Sequence, residues 1–210
     1  MGQYYVPIII AEDGTVSTFS SHEYNSGLKL MEHSWIGNDF VNAVITQLWN
    51  HPMRVAWIGD YSKDPYEDAY AEKICKTKFQ RYYRMAWGKN RKKYIIRPDT
   101  MNMIGIHSRA YLINHSQQIY VDLGEYIDAN LYHESWTNRY TGKTEYYDSC
   151  VHPLPLLTAC GNDRGGGDYR SCYADYDKVG TWAFDLIEVS PNCPEGYAKI
   201  MYGFSERKED

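Results

Sequence analysis

The chain alternates between short apolar runs and polar turn residues for most of its length. Residues 3–10 (QYYVPIII) are aromatic and β-branched and predict a strand, with Pro7 marking an edge position or a bulge. Glu12-Asp13-Gly14 is a turn signal, and residues 16–19 return as a second strand. The period then changes. Phe40, Val41, Val44, Ile45, Leu48 and Trp49 fall on one face of a helix over 39–49, with Asn38 or Asp39 as its N-cap and Pro52 beyond its end. Residues 53–58 (MRVAWI) predict a strand that ends at Gly59-Asp60. A second, more polar helix is expected from Tyr66 to about Met85, followed by a loop over 88–99.

Residues 109–114 and 119–123 predict a hairpin across His115-Ser116-Gln117-Gln118, with His115 hydrogen-bonded to backbone in the turn. Residues 124–144 show no regular period and predict a loop with a helical turn. LPLLT (154–158) predicts a buried strand, residues 180–190 another, and residues 197–204 a returning strand after the turn at 191–196. Strands joined as hairpins, with one or two amphipathic helices, predict an α+β fold on a mostly antiparallel or mixed sheet. The expected division is one domain over 1–204 and a charged tail over 205–210.

Composition narrows the function classes. At 210 residues with 43% hydrophobic content the chain builds a core of ordinary size. Its 21 Tyr are the outlier, and they suit β propensity first and ring stacking second. A net charge of −5 argues against duplex nucleic acid, whose binding rests on phosphate neutralisation. The one basic run, Lys89–Lys93, reads as a solvated loop. No apolar run approaches a membrane span, and the start lacks a secretory n-region, so a cytoplasmic protein is expected. The five Cys are expected to be reduced thiols.

Candidate chemistry concentrates in ACGNDRGGGDYRSC, residues 159–172. Successive glycines let backbone N–H groups face one concavity, which suits an anion. Arg164, Gly165, Gly166, Gly167, Asp168, Tyr169 and Arg170 are the expected ligand-binding residues, with Trp35 or Tyr61 as a second ring to stack on a base. The stretch is neither a Walker A loop nor a dinucleotide fingerprint, and a wide turn explains it equally well. In GLKLMEHSWIGN, Glu32 and His33 are the candidate acid–base pair, against a packing role for a lone histidine. Gly-Asp-Tyr occurs at 59–61 and again at 167–169, so Asp60 and Asp168 are candidate metal ligands for Mg²⁺ or Ca²⁺, against two ordinary turn residues. A zinc site from Cys150, His152, Cys160 and Cys172 has the right ligand types but no matching spacing. No cofactor is implied by any motif.

Three segments together, MGQYY, GLKLMEHSWIGN and LPLLTACGNDRGGGDY followed by VGTWAFD, resemble a family of uncharacterised proteins found in bacteria and their phages. The resemblance implies one structural unit over nearly the whole chain, and it carries no catalytic residues across. A phage link implies a counter-defence role such as sequestering a nucleotide signal. The ligand reading competes with a metal-assisted phosphoester hydrolase (Asp60, Asp168, His33, Glu32) and with a protein–protein inhibitor module.

Overall fold

The structure is a computed structural model. It describes residues 3–60, 62, 107–161, 169 and 175–204, the side chain of Glu134 excepted. The helix expected from Tyr66, the basic run, residues 162–172 of the Gly-rich stretch apart from Tyr169, and the C-terminal tail lie outside the described residues.

The strands are β1 (Tyr5–Ile10), β2 (Val16–Thr18), β3 (Met53–Gly59), β4 (Tyr111–Asn114), β5 (Ile119–Asp122), β6 (Tyr132–Thr137), β7 (Thr144–Ser149), β8 (Ala159–Cys160), β9 (Leu186–Ser190) and β10 (Ala198–Lys199). The helices are α1 (Leu30–His33), α2 (Asp39–Leu48), α3 (Leu123–Asn130) and α4 (Pro153–Leu157). Eight strands form one mixed, mostly antiparallel sheet in the order β10-β5-β4-β9-β3-β1-β2, with β8 also on β3; β6 and β7 form a separate hairpin. The α+β architecture expected from the pattern is the one observed.

β1 reads as an unbroken apolar run because both of its faces are covered. Tyr5 and Ile9 join the main core with Trp57 and α2, while Ile8 and Ile10 join a second cluster with Ala56, Ile58 and Phe184. Pro7 is tolerated for a reason visible in the register. It lies opposite Trp57 on β3, but β2 begins pairing only at Ile8. The backbone N–H of Trp57 turns away from β1 to the Thr158 carbonyl, so the proline nitrogen faces the side that β2 does not reach.

α2 forms where its period predicts. The Asn38 side chain accepts hydrogen bonds from the backbone N–H groups of Phe40 (2.9 Å) and Val41 (3.4 Å). Its apolar face enters the core through Phe40, Val41, Val44, Ile45 and Leu48. LPLL is a helical turn rather than the expected strand. Pro153 stands at the first helical position, and His152 Nδ1 accepts from Leu154 N–H at 3.1 Å, so cap and proline together start a helix. Residues 180–184 form turns, so the strand expected from Gly180 begins at Leu186, and the return after Gly196 pairs only over β10. The stretch 124–144, expected to be irregular, carries α3, capped by Asp122, and most of the β6–β7 hairpin.

One feature of the sheet positions the candidate site. β3 shares its second edge between two strands. Its first residues pair antiparallel with β9 (Met53↔Ile187, Arg54↔Leu186), and its last pair parallel with β8 (Trp57↔Ala159, Ile58↔Cys160). The fork falls between Val55, whose carbonyl accepts from Phe184 N–H at 2.7 Å, and Trp57, whose N–H donates to Thr158 at 2.8 Å.

Candidate functional site at the β3–β8 edge

Parallel pairing makes β3 and β8 end at the same edge of the sheet. Gly59-Asp60 leaves β3 there, and Gly161, the first residue of the Gly-rich stretch beyond β8, leaves beside it. The two glycines close on one side chain. A Cβ on Gly59 would stand 2.4 Å from Gln3 Oε1, and one on Gly161 would stand 2.8 Å from that oxygen and 2.8 Å from Tyr5 Oη. Asp60 is held in place: its backbone N–H donates to Tyr4 O, and its Oδ1 accepts from Tyr4 N–H, both at 3.0 Å. Ser62 N–H donates to Gly59 O at 3.0 Å, completing a tight turn after β3.

The expected site residues divide as follows. Arg164, Gly165, Gly166, Gly167, Asp168 and Arg170 lie outside the described residues, as does Tyr61. Tyr169 is fully buried, with its ring stacked on Tyr176 at 6.1 Å and edge-on to Phe204 at 5.8 Å. Tyr176 covers one face of the ring and burial leaves no accessible surface, so Tyr169 packs in the core. Trp35 sits elsewhere, its Nε1–H donating to Met31 O at 2.7 Å and its ring against Tyr132 at the base of the β6–β7 hairpin.

His33 and Glu32, the candidate acid–base pair, both make structural contacts. His33 is fully buried, with Nδ1 3.0 Å from Gly27 O and Nε2 accepting the Trp57 indole N–H at 3.0 Å. Its imidazole is therefore neutral with Nδ1–H donating. Burial pulls its pKa down to about 4, only partly offset by the Gly27 hydrogen bond and by Glu32. The Glu32 carboxylate accepts Lys29 N–H at 3.0 Å and pairs with Lys29 Nζ at 3.3 Å, and the backbone bond holds its pKa low. Both residues fasten α1 to the loop in front of it.

The cysteine-rich zinc arrangement finds no support among the described residues. The Cys150 thiol is buried, donates to Val151 O at 3.7 Å and has its pKa pushed up to about 12, the reverse of what a thiolate ligand requires. His152 spends Nδ1 on the α4 cap. No group of three His, Cys, Asp or Glu side chains among the described residues is arranged to hold a metal ion.

Two polar clusters arise that no local motif announced. In the core, His107 Nε2 lies 3.0 Å from Asn42 Oδ1, and the His107 and His152 rings meet edge-on at 5.1 Å. On the sheet, His115 does not turn to the backbone with its ring; its nitrogens meet Tyr197 and Glu188. The hydrogen-bonded partners are 65 to 82 residues apart in sequence, so only the fold brings them together. The chain matches no protein-family model, no curated protein and no solved structure.

Proposed function

We propose that this protein is a cytoplasmic small-molecule binding protein, and that its ligand is a nucleotide or another phosphorylated signal taken at the β3–β8 edge. The observation that carries the reading is the parallel pairing of β3 with β8, which sends Gly59-Asp60 and the start of the Gly-rich stretch out of one sheet edge. Ligands of α/β sheets favour the carboxyl ends of adjacent parallel strands, where loops diverge. The sequence beyond Gly161 carries Gly165, Gly166 and Gly167, whose backbone N–H groups would donate to an anion, and Arg164 and Arg170, which would bring charge. Among the described residues no helix is long and apolar enough to cross a membrane, which agrees with such a role. The resemblance of three segments to bacterial and phage proteins favours sequestration of a signal over turnover.

The test is a thermal-shift and calorimetric screen of nucleotides, cyclic nucleotides and inorganic phosphates. A ligand at a hundred times its Kd stabilises by about 2.7 kcal/mol, a shift of several degrees in Tm. Arg164→Ala and Arg170→Ala should abolish that shift while leaving the unliganded Tm in place. A complete screen with no shift, or one undiminished in both variants, sinks the proposal.

A second reading, a protein–protein module, rests on the β6–β7 hairpin. This two-stranded ribbon presents Trp136 (52% exposed), Tyr146 (81%) and Tyr147 (46%), with Tyr140 fully exposed at its tip. Trp136 lies opposite Glu145, two pairs along from Tyr147, so Trp136 and Tyr147 share a face. Such aromatics anchor protein partners. Trp136→Ala should change Tm by no more than about a degree, and it should release a stoichiometric protein captured by the wild type. Capture undiminished by Trp136→Ala and Tyr147→Ala would rule the hairpin out.

A further inference from the structure

His115, Glu188 and Tyr197 form a hydrogen-bonded relay on the sheet. His115 Nε2 lies 2.7 Å from Glu188 Oε2, and His115 Nδ1 lies 3.0 Å from Tyr197 Oη. A carboxylate only accepts, so Glu188 draws the ring proton to Nε2 and leaves a lone pair on Nδ1. The Tyr197 O–H then donates into that lone pair. This is the order of parts in an activated nucleophile: hydroxyl, base, and a carboxylate that orients the base.

Each member is held by a different strand. His115 follows β4, with its N–H on Leu186 O at 2.9 Å, while Leu186 N–H returns to Ser116 Oγ at 2.9 Å. Glu188 is in the middle of β9, opposite Ile113. Tyr197 immediately precedes β10, where Ala198 N–H reaches Gln118 O at 3.0 Å, and Gly196 turns the chain towards it with φ +75°. The His115 and Glu188 side chains are only 23% and 16% exposed, and Tyr197 is half-buried, so water competes weakly for these bonds while the tyrosine edge stays reachable.

We infer that Tyr197 is a nucleophilic hydroxyl, with His115 as its general base and Glu188 as the positioning residue, acting on uncharged carboxylic esters. The Glu188 carboxylate in the relay favours a neutral electrophile over a phosphoryl group. In the first step Tyr197 Oη bonds to the ester carbonyl carbon and its proton passes to His115 Nδ1. The tetrahedral adduct collapses with cleavage of the C–O bond to the leaving alcohol, which takes the proton from Nδ1. Water then attacks the O-acyl-tyrosine with His115 again as base. The sum is ester plus water to acid plus alcohol.

The fully exposed Tyr140 serves as an internal reference, since it is 99% accessible. The intact protein is treated with p-nitrophenyl acetate at pH 7, quenched in acid, and acetyl-tyrosine is quantified residue by residue by mass spectrometry. General-base assistance is worth about a hundredfold or more, so Tyr197 should acetylate at least about tenfold faster than Tyr140. His115→Gln and Glu188→Gln, each checked for unchanged circular dichroism, should bring Tyr197 down to the Tyr140 rate or below. Equal rates for the two tyrosines in the wild type, or an advantage for Tyr197 that persists in His115→Gln, would overturn the inference and leave the relay as a cross-link between strands.

Discussion

At the scale of single residues, what decides a role is the neighbour the fold brings up. Gly142 and Gly180 look alike in the chain, and both adopt left-handed backbone, φ +67° and +83°. A Cβ on Gly142 would meet nothing within 4 Å, whereas one on Gly180 would stand 2.6 Å from the Ala159 carbonyl oxygen. The Gly180 N–H also donates to Leu156 O at 2.9 Å, tying the turn to α4. Gly142→Ala therefore bears only the left-handed strain of about 1 kcal/mol. Gly180→Ala adds a clash with backbone that cannot swing aside, and the total should exceed about 2 kcal/mol. Urea melts of the two variants measure the difference, and equal midpoints would show that the β8 backbone yields. His33 makes the same point for function. Its sequence context allows catalysis or packing, and only the approach of Trp57 and Gly27 gives it a packing role.

At the scale of elements, legibility followed length and the locality of the signal. α2 was readable because its ten residues repeat an apolar face and Asn38 caps them. β4 and β5 were readable because one short turn joins two apolar runs. LPLL misled because four buried residues show no period, and its helix is set by the Pro153 and His152 start signals. The β6–β7 hairpin was invisible because residues 132–149 put aromatic and polar side chains on both faces, so there is no buried side to write an alternating pattern. The β3–β8 edge was half legible. Gly59-Asp60 and the Gly-rich stretch stood out as turn signals, but their meeting depends on a parallel pair between strands about a hundred residues apart. The relay of His115, Glu188 and Tyr197 had no local signature at all, because its members lie in or beside three different strands.

At the scale of the molecule, the core contains three histidines, and that sets the response of the whole fold to acid. His33 and His107 have their pKa pulled down to about 4 by burial, and His152 is held well below the usual value by burial and by His107 beside it. In the unfolded chain each returns to about 6.5. A depressed folded pKa means that the unfolded chain binds more protons between about 4 and 6.5. The contribution is fully present above 6.5 and is lost as pH falls towards 4. For a group moving from 6.5 to 4, the loss at pH 5.5 is about 1.4 kcal/mol, so His33 and His107 together remove about 3 kcal/mol and His152 adds to the loss in the same direction, a large share of an ordinary domain's stability. Glu32 has its folded pKa lowered from the carboxylate range, so its loss comes at lower pH and the first part of the transition belongs to the histidines. Urea midpoints should therefore be flat above pH 7 and fall steeply between pH 6.5 and 5. Proton NMR of the imidazole C–H signals should show three histidines that do not titrate above pH 5. A midpoint that holds constant down to pH 5, or seven imidazoles all titrating near 6.5, would mean that the core admits water to these rings and that the packing assigned to His33, His107 and His152 is wrong.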